Sequence, residues 1–190
     1  MSNPFSSWAY GGEAGASVYG ALPITTSGSP SADFLSYYFT CLNPTILNST
    51  LTGPNGQPQL YMTTDSSLPG YTVFKTVDGQ SVALIEWSQR YAQVEIRGIV
   101  QKQPASHFLK LSRDRRFRIM TVGDQEFAWV PRDQAICMYK VNSSNASHMA
   151  KLSKEGGVMK LELSPSVISG SLLQPTVMAV ILLQGGQRID

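Results

Sequence analysis

The chain has 190 residues, 42% hydrophobic and 15% charged, with a net charge of +2. That composition describes one domain with a sizeable core plus a tail, and no run reaches the roughly 18–20 apolar residues of a membrane span. The opening Met1-Ser2-Asn3-Pro4-Phe5 has neither the basic nor the apolar region of a secretory leader, so a cytoplasmic protein is expected.

Residues 1–32 are rich in Gly, Ser and Ala, with scattered Phe5, Trp8, Tyr10 and Tyr19. No period of 2 or 3.6 persists there, which predicts a disordered or loosely packed tail ahead of a domain over 33–190. Strand signals then follow at short, regular spacing. Tyr37 to Leu42 is aromatic and β-prone, and Thr45 to Leu51 alternates up to the turn Gly53-Pro54-Asn55-Gly56. Leu60 to Thr63 is next. Tyr71 to Lys75 and Val82 to Trp87 flank Asp78-Gly79, a hairpin signal because that pair tolerates the positive φ angles of a type I′ turn. Val94 to Val100, Phe108 to Leu111, Phe117 to Val122, Glu126 to Val130, Ile136 to Val141, Met149 to Leu152 and Val158 to Leu163 complete the set.

About twelve short strands with hairpin-length links predict a mainly β, antiparallel structure, either a sandwich or a barrel. The last apolar segment separates the two. Leu172 to Leu183 carries Pro175, suited to a first helical turn, and is followed by Gly185-Gly186, a C-terminal stop. A helix over about 175–184 would be about 15 Å long. Apolar nearly all round, it would have to be buried inside a curled sheet. The competing reading is one more buried strand, since Val177, Val180 and Ile181 are β-branched.

The cysteines Cys41 and Cys137 have neither disulfide-framework nor metal spacing, and both sit in apolar strand-like runs, so buried reduced thiols are expected. Charge is uneven. Between Arg90 and Arg118 there are eight basic residues against Glu95 and Asp114, a local charge of +6. Within it, Arg116-Phe117-Arg118-Ile119-Met120 alternates, with Phe117 and Ile119 on one face and Arg116, Arg118 and Met120 on the other. With Lys110, Arg113 and Arg115 nearby, these cations form a candidate anion site, because guanidinium forks match phosphate oxygens. The bland alternative is a solvated outer face whose charges block edge pairing.

Catalytic signals are absent. His107 and His148 read as surface or rim residues, Glu126 and Asp133 lack the spacing of a carboxylate pair, and no phosphate loop, metal motif or nucleophile elbow occurs. No cofactor is implied. Nucleic acid is disfavoured as a partner, since the pI of about 8.5 comes with no recognised motif. Trp87 and Trp129 are expected to pack in the barrel wall or against the helix. Glu86 is expected on the face opposite Trp87, as an outward charge or the partner of a basic residue.

The patches Ile85-Glu86-Trp87 and Phe127-Ala128-Trp129, the basic strand from Arg116 to Thr121 and the closing apolar helix together resemble an uncharacterised fungal, mainly basidiomycete, family. That family is placed with the Tubby C-terminal-like barrels, beside the plant LURP-one-related proteins and the phospholipid scramblases. The resemblance covers residues 34–184 and implies a twelve-stranded antiparallel barrel around a hydrophobic C-terminal helix. It also implies a binding module rather than an enzyme, with anionic phospholipid headgroups as the leading ligand class. The alternatives are a protein-interaction domain whose charges serve solubility, and a small-ligand carrier or enzyme with a pocket at the barrel end.

Overall fold

The computed structural model describes residues 34–65, 70–87, 91–143 and 147–190. The tail expected over 1–32 and the basic residue Arg90 lie outside the described residues. The chain is mainly β. Seven strands come first: β1 (Leu35–Thr40), β2 (Ser49–Thr52), β3 (Pro58–Thr63), β4 (Tyr71–Thr76), β5 (Ser81–Glu86), β6 (Gln93–Ile96) and β7 (Val100–Pro104). A short helix, α1 (Ala105–Phe108), leads to β8 (Leu109–Leu111), β9 (Arg118–Val122), β10 (Gln125–Arg132), β11 (Ala135–Lys140), β12 (Ala150–Glu155) and β13 (Val158–Leu163). Two helices finish it, α2 (Pro165–Ser169) and α3 (Leu173–Gln184).

The strands form a single 13-stranded antiparallel sheet in the order β7-β6-β5-β4-β3-β2-β1-β13-β12-β11-β10-β9-β8. Its edges, β7 and β8, are consecutive in the chain and joined by α1, so the sheet curls round without closing by hydrogen bonds. Lys102, Pro104 and Lys110 lie on these edge strands, where charge and a missing donor discourage pairing with another chain.

Alternation drives the curl. Phe39, Leu51, Leu60, Phe74, Ile85, Met120, Trp129, Met138, Leu152 and Leu161 project from successive strands into one core cluster. α3 fills the concave side of the sheet. Every residue from Pro175 to Leu183 is buried, and the Thr176 hydroxyl lies 3.9 Å from the Met138 sulfur of β11. The expected terminal helix is therefore present, two residues longer at its start, with Pro175 in its first turn. A side chain at Gly185 would collide with Leu47, its added Cβ lying 2.9 Å from a Leu47 methyl, and Gly186 reverses the chain at φ +68°.

The sequence expectations need correction at several places. Val94 to Val100 is two strands, broken by a turn in which Gly98 takes φ 73° and the Ile99 N–H bonds the Ile96 carbonyl at 3.0 Å. The second of them, Val-Gln-Lys-Gln-Pro, is a polar edge strand with little alternation to read. Thr45 to Asn48 is a turn, closed by Asn48 N–H to the Thr45 carbonyl at 3.0 Å, and only Ser49 onward is strand. Around Asp78-Gly79 only Gly79 has positive φ, so the hairpin is not of type I′. Cys41 is exposed, at φ 53° just past β1, whereas Cys137 is a buried free thiol as expected.

Candidate functional site

The basic residues singled out from sequence divide between two environments. Lys110 sits on β8 opposite Ile119, on the outer face of the sheet. Arg113, Arg115 and Arg116 are exposed on the turn between β8 and β9. Side chains build this turn. The Ser112 hydroxyl donates to Asp114 Oδ1 at 2.6 Å and accepts from the backbone N–H groups of Arg116 and Phe117 at 3.1 and 3.2 Å. Asp114 Oδ1 accepts from the Arg116 N–H at 3.2 Å. These bonds, the Ser112 hydroxyl first, hold the Asp114 carboxyl below its ordinary pKa. The single acid of the turn is thus engaged in shaping it, with its Oδ2 3.8 Å from Arg116 Nε. Arg115 occupies the left-handed region at φ 59°, which an L side chain adopts only where surrounding bonds fix it.

Arg118 is elsewhere. The expected alternation is present, but its inward side is the reverse of the one assumed for a basic outer face. Arg118 and Met120 point into the core and Ile119 points out. The Arg118 guanidinium is sealed inside, where it donates to the Leu109 carbonyl at 2.9 Å and pairs with Asp190. It therefore does not join the other four cations, and the candidate site contracts to Lys110, Arg113, Arg115 and Arg116.

A second basic feature lies on the outer face of β10–β12. The pairings Arg118 with Trp129, Arg132 with Ala135 and Ala135 with Ser153 bring the β8–β9, β10–β11 and β12–β13 turns to one end of this part of the sheet. Next to the last two turns is an open cavity of about 460 Å³, lined by Arg132, Cys137, Tyr139, His148, Lys151 and Ser153 among others. The Tyr139 hydroxyl interacts with both Arg132 and the Cys137 thiol. Burial pushes the Cys137 thiol up, which disfavours a nucleophilic thiolate. His148 is half-buried and stacks on Phe34, ring centroids 4.9 Å apart, and burial holds its pKa below the ordinary value. Sequence reading missed this cavity because it depends on which residues face each other across strands.

The remaining expectations can be placed. His107 is exposed on α1. Glu86 meets Lys102 Nζ at 2.7 Å, the basic partner foreseen for it. Trp129 is fully buried, and Trp87 packs against the core while its Nε1–H donates to Thr72 Oγ1 at 2.7 Å. Among the described residues no group of three His, Cys, Asp or Glu side chains is placed to hold a metal. No described helix is long and apolar enough to cross a membrane.

No family model matches the chain, and no curated protein sequence does. The chain is similar to the X-ray structure of a protein from Arabidopsis thaliana, with 13% identity and a TM-score of 0.47 over 76% of this chain and 88% of that one. A likeness of that degree says nothing about activity.

Proposed function

We propose that this is a non-catalytic binding domain of the Tubby-like type, docking on anionic phospholipid headgroups through the β8–β9 turn and Lys110. The observation that carries this reading is the turn itself: three exposed arginines around one acid that is committed to the turn's own hydrogen bonds. The packed interior supports it too, because α3 occupies the space in which a carrier would hold its cargo.

Co-sedimentation with vesicles tests it. Phosphatidylcholine vesicles carrying a phosphoinositide should bind the protein, neutral vesicles should not, and raised salt should weaken binding. Each basic residue near an anionic surface is worth about 1 kcal/mol. Replacing Arg113, Arg115 and Arg116 together by Gln should therefore weaken binding roughly a hundredfold. Equal binding to neutral and anionic vesicles, or to neither, would remove the proposal. In that case the charges serve solubility or a protein partner.

A further inference from the structure

We propose that Arg118 forms a peptide-binding site beside the sheet seam, filled in cis by residues 186–190 and in trans by an aliphatic–acidic segment of a partner protein. The seam supplies the place. β8 is an edge strand of the unclosed sheet, and its Leu109 carbonyl accepts from Arg118 Nη1 at 2.9 Å. Both terminal nitrogens of the same guanidinium also donate to the Asp190 carboxylate. The Arg118 side chain is sealed, at 2% exposure, while that of Asp190 is 46% exposed. The cation is therefore reached from outside through the position that Asp190 occupies.

Residues 186–190 are held as a bound peptide is held, by side chains. Among the described residues no backbone–backbone hydrogen bond involves them. Gly186, Gln187 and Arg188 are exposed. The two anchors are Ile189, 4% exposed and part of the core cluster, and Asp190 on the guanidinium. Gly186 takes φ +68° with nothing within 4 Å of where its Cβ would be. Its reversal of the chain thus comes from glycine's own freedom and not from packing. A segment with one apolar plug, one ionic clasp and no ladder opens locally at far lower cost than the sheet does.

The two anchors define what else fits. The guanidinium fork reads a carboxylate by its two oxygens, and the slot beside it reads an aliphatic side chain. The matching ligand is an Ile, Val or Leu followed by an acid. A buried guanidinium stripped of its counter-charge is strongly disfavoured, so the site exchanges one carboxylate for another and does not stand empty. The tethered segment competes at an effective concentration in about the millimolar range. A partner therefore has to add contacts beyond this pair of residues to displace it.

Ile189→Ser combined with Asp190→Ser empties the site without touching α3. The peptide Gln-Arg-Ile-Asp, acetylated and amidated so that its side chain offers the only carboxylate, should bind this variant saturably at about millimolar concentration, read by amide NMR shifts. The unaltered protein should bind it at least about tenfold more weakly, because its own segment competes. Changing the peptide's Ile to Ser or its Asp to Asn, or adding Arg118→Met to the emptied variant, should each weaken binding about tenfold or more. A second measurement uses the chain with its segment in place. Trypsin cuts after Arg188 only when Ile189 leaves the core, so the cleavage rate follows the open population. Asp190→Asn should raise that rate about tenfold and leave cleavage after the exposed Arg113 unchanged. Absence of peptide binding to an emptied variant that melts cooperatively overturns the site, as does binding that Arg118→Met leaves intact. So does cleavage after Arg188 that Asp190→Asn does not change, a result that decides the matter even where the emptied variant fails to fold. None of these readouts uses vesicles, so the lipid reading stands or falls separately.

Discussion

Arg118 and Asp190, 72 residues apart in sequence, meet as a two-pronged ion pair with one partner inside the sheet and the other at its rim. The Arg118 side chain is 2% exposed and that of Asp190 46%. A guanidinium in that position is tolerated because a carboxylate offsets its charge and, with the Leu109 carbonyl, accepts from its two terminal nitrogens. Asp190→Asn removes the counter-charge and should cost about 1–3 kcal/mol in urea unfolding. This is less than a fully buried pair would lose, because Asp190 is half in water. Arg118→Met, which removes the need for a counter-charge, should cost less than Asp190→Asn. An unchanged urea midpoint for Asp190→Asn would show that the pair does not hold this end of the chain.

Ala179 lies in the middle of α3, fully buried. Ala179→Asp would place a carboxylate in the core with no partner, a penalty of several kcal/mol or more, comparable with the whole stability of a typical single domain. The variant should lose cooperative thermal unfolding and accumulate as insoluble protein. A soluble, cooperatively melting variant would mean that α3 is not the centre of the core.

A directed relay of hydrogen bonds ties the β3–β4 end of the sheet together. Trp87 Nε1–H donates to Thr72 Oγ1 at 2.7 Å, leaving the Thr72 proton for Thr64 Oγ1 at 2.7 Å, which in turn donates to the Leu47 carbonyl at 3.2 Å. Thr72→Val keeps the shape but breaks both bonds at a fully buried position. It should cost about 1–3 kcal/mol, while Thr72→Ser, which keeps the hydroxyl, should cost less. Chemical denaturation of the two variants side by side checks the order.

His148 gives the fold an acid sensitivity. Burial, and then the charge of Lys151, hold its pKa below the ordinary 6.5. The unfolded chain therefore takes up the proton first as pH falls. Stability should be full above about pH 6.5, decline below it, and level off once pH passes the folded-state value. His148→Phe keeps an aromatic ring against Phe34 and should flatten that slope below about pH 6.5. A slope identical to that of the unaltered protein would assign the acid sensitivity to other groups.

Much of the fold was legible because strand alternation and turn residues are local signals. The hairpins at Gly53-Pro54-Asn55-Gly56 and Gly123-Asp124 and the terminal helix after Leu172 are where those signals put them. The helix α2 carried the same punctuation, Pro165 at its start and Gly170 at its end, but it is too short to show a period. Alternation fixes which residues share a face, and it does not say which face is inside. Ile119 and Met120 are apolar on opposite faces of β9, so only the distant Asp190 reveals that the Arg118 side is the buried one. Cys41 closes an apolar run, yet its backbone turns left-handed just where the strand stops. The cavity over Ala135 and Ser153 was the least legible, since each residue is unremarkable until the register sets them opposite each other.

Among the described residues, only the β1–β13 pairing joins segments far apart in sequence; every other ladder there links neighbours along the chain. The wall is therefore two meanders, β1–β7 and β8–β13, with a covalent hinge at α1 and one hydrogen-bonded latch where β1 meets β13. Each meander can assemble from local contacts, and the entropy of closing the long loop falls on that one latch. A cut within α1 would sever no ladder, so the protein is built as two complementary fragments that happen to share a chain.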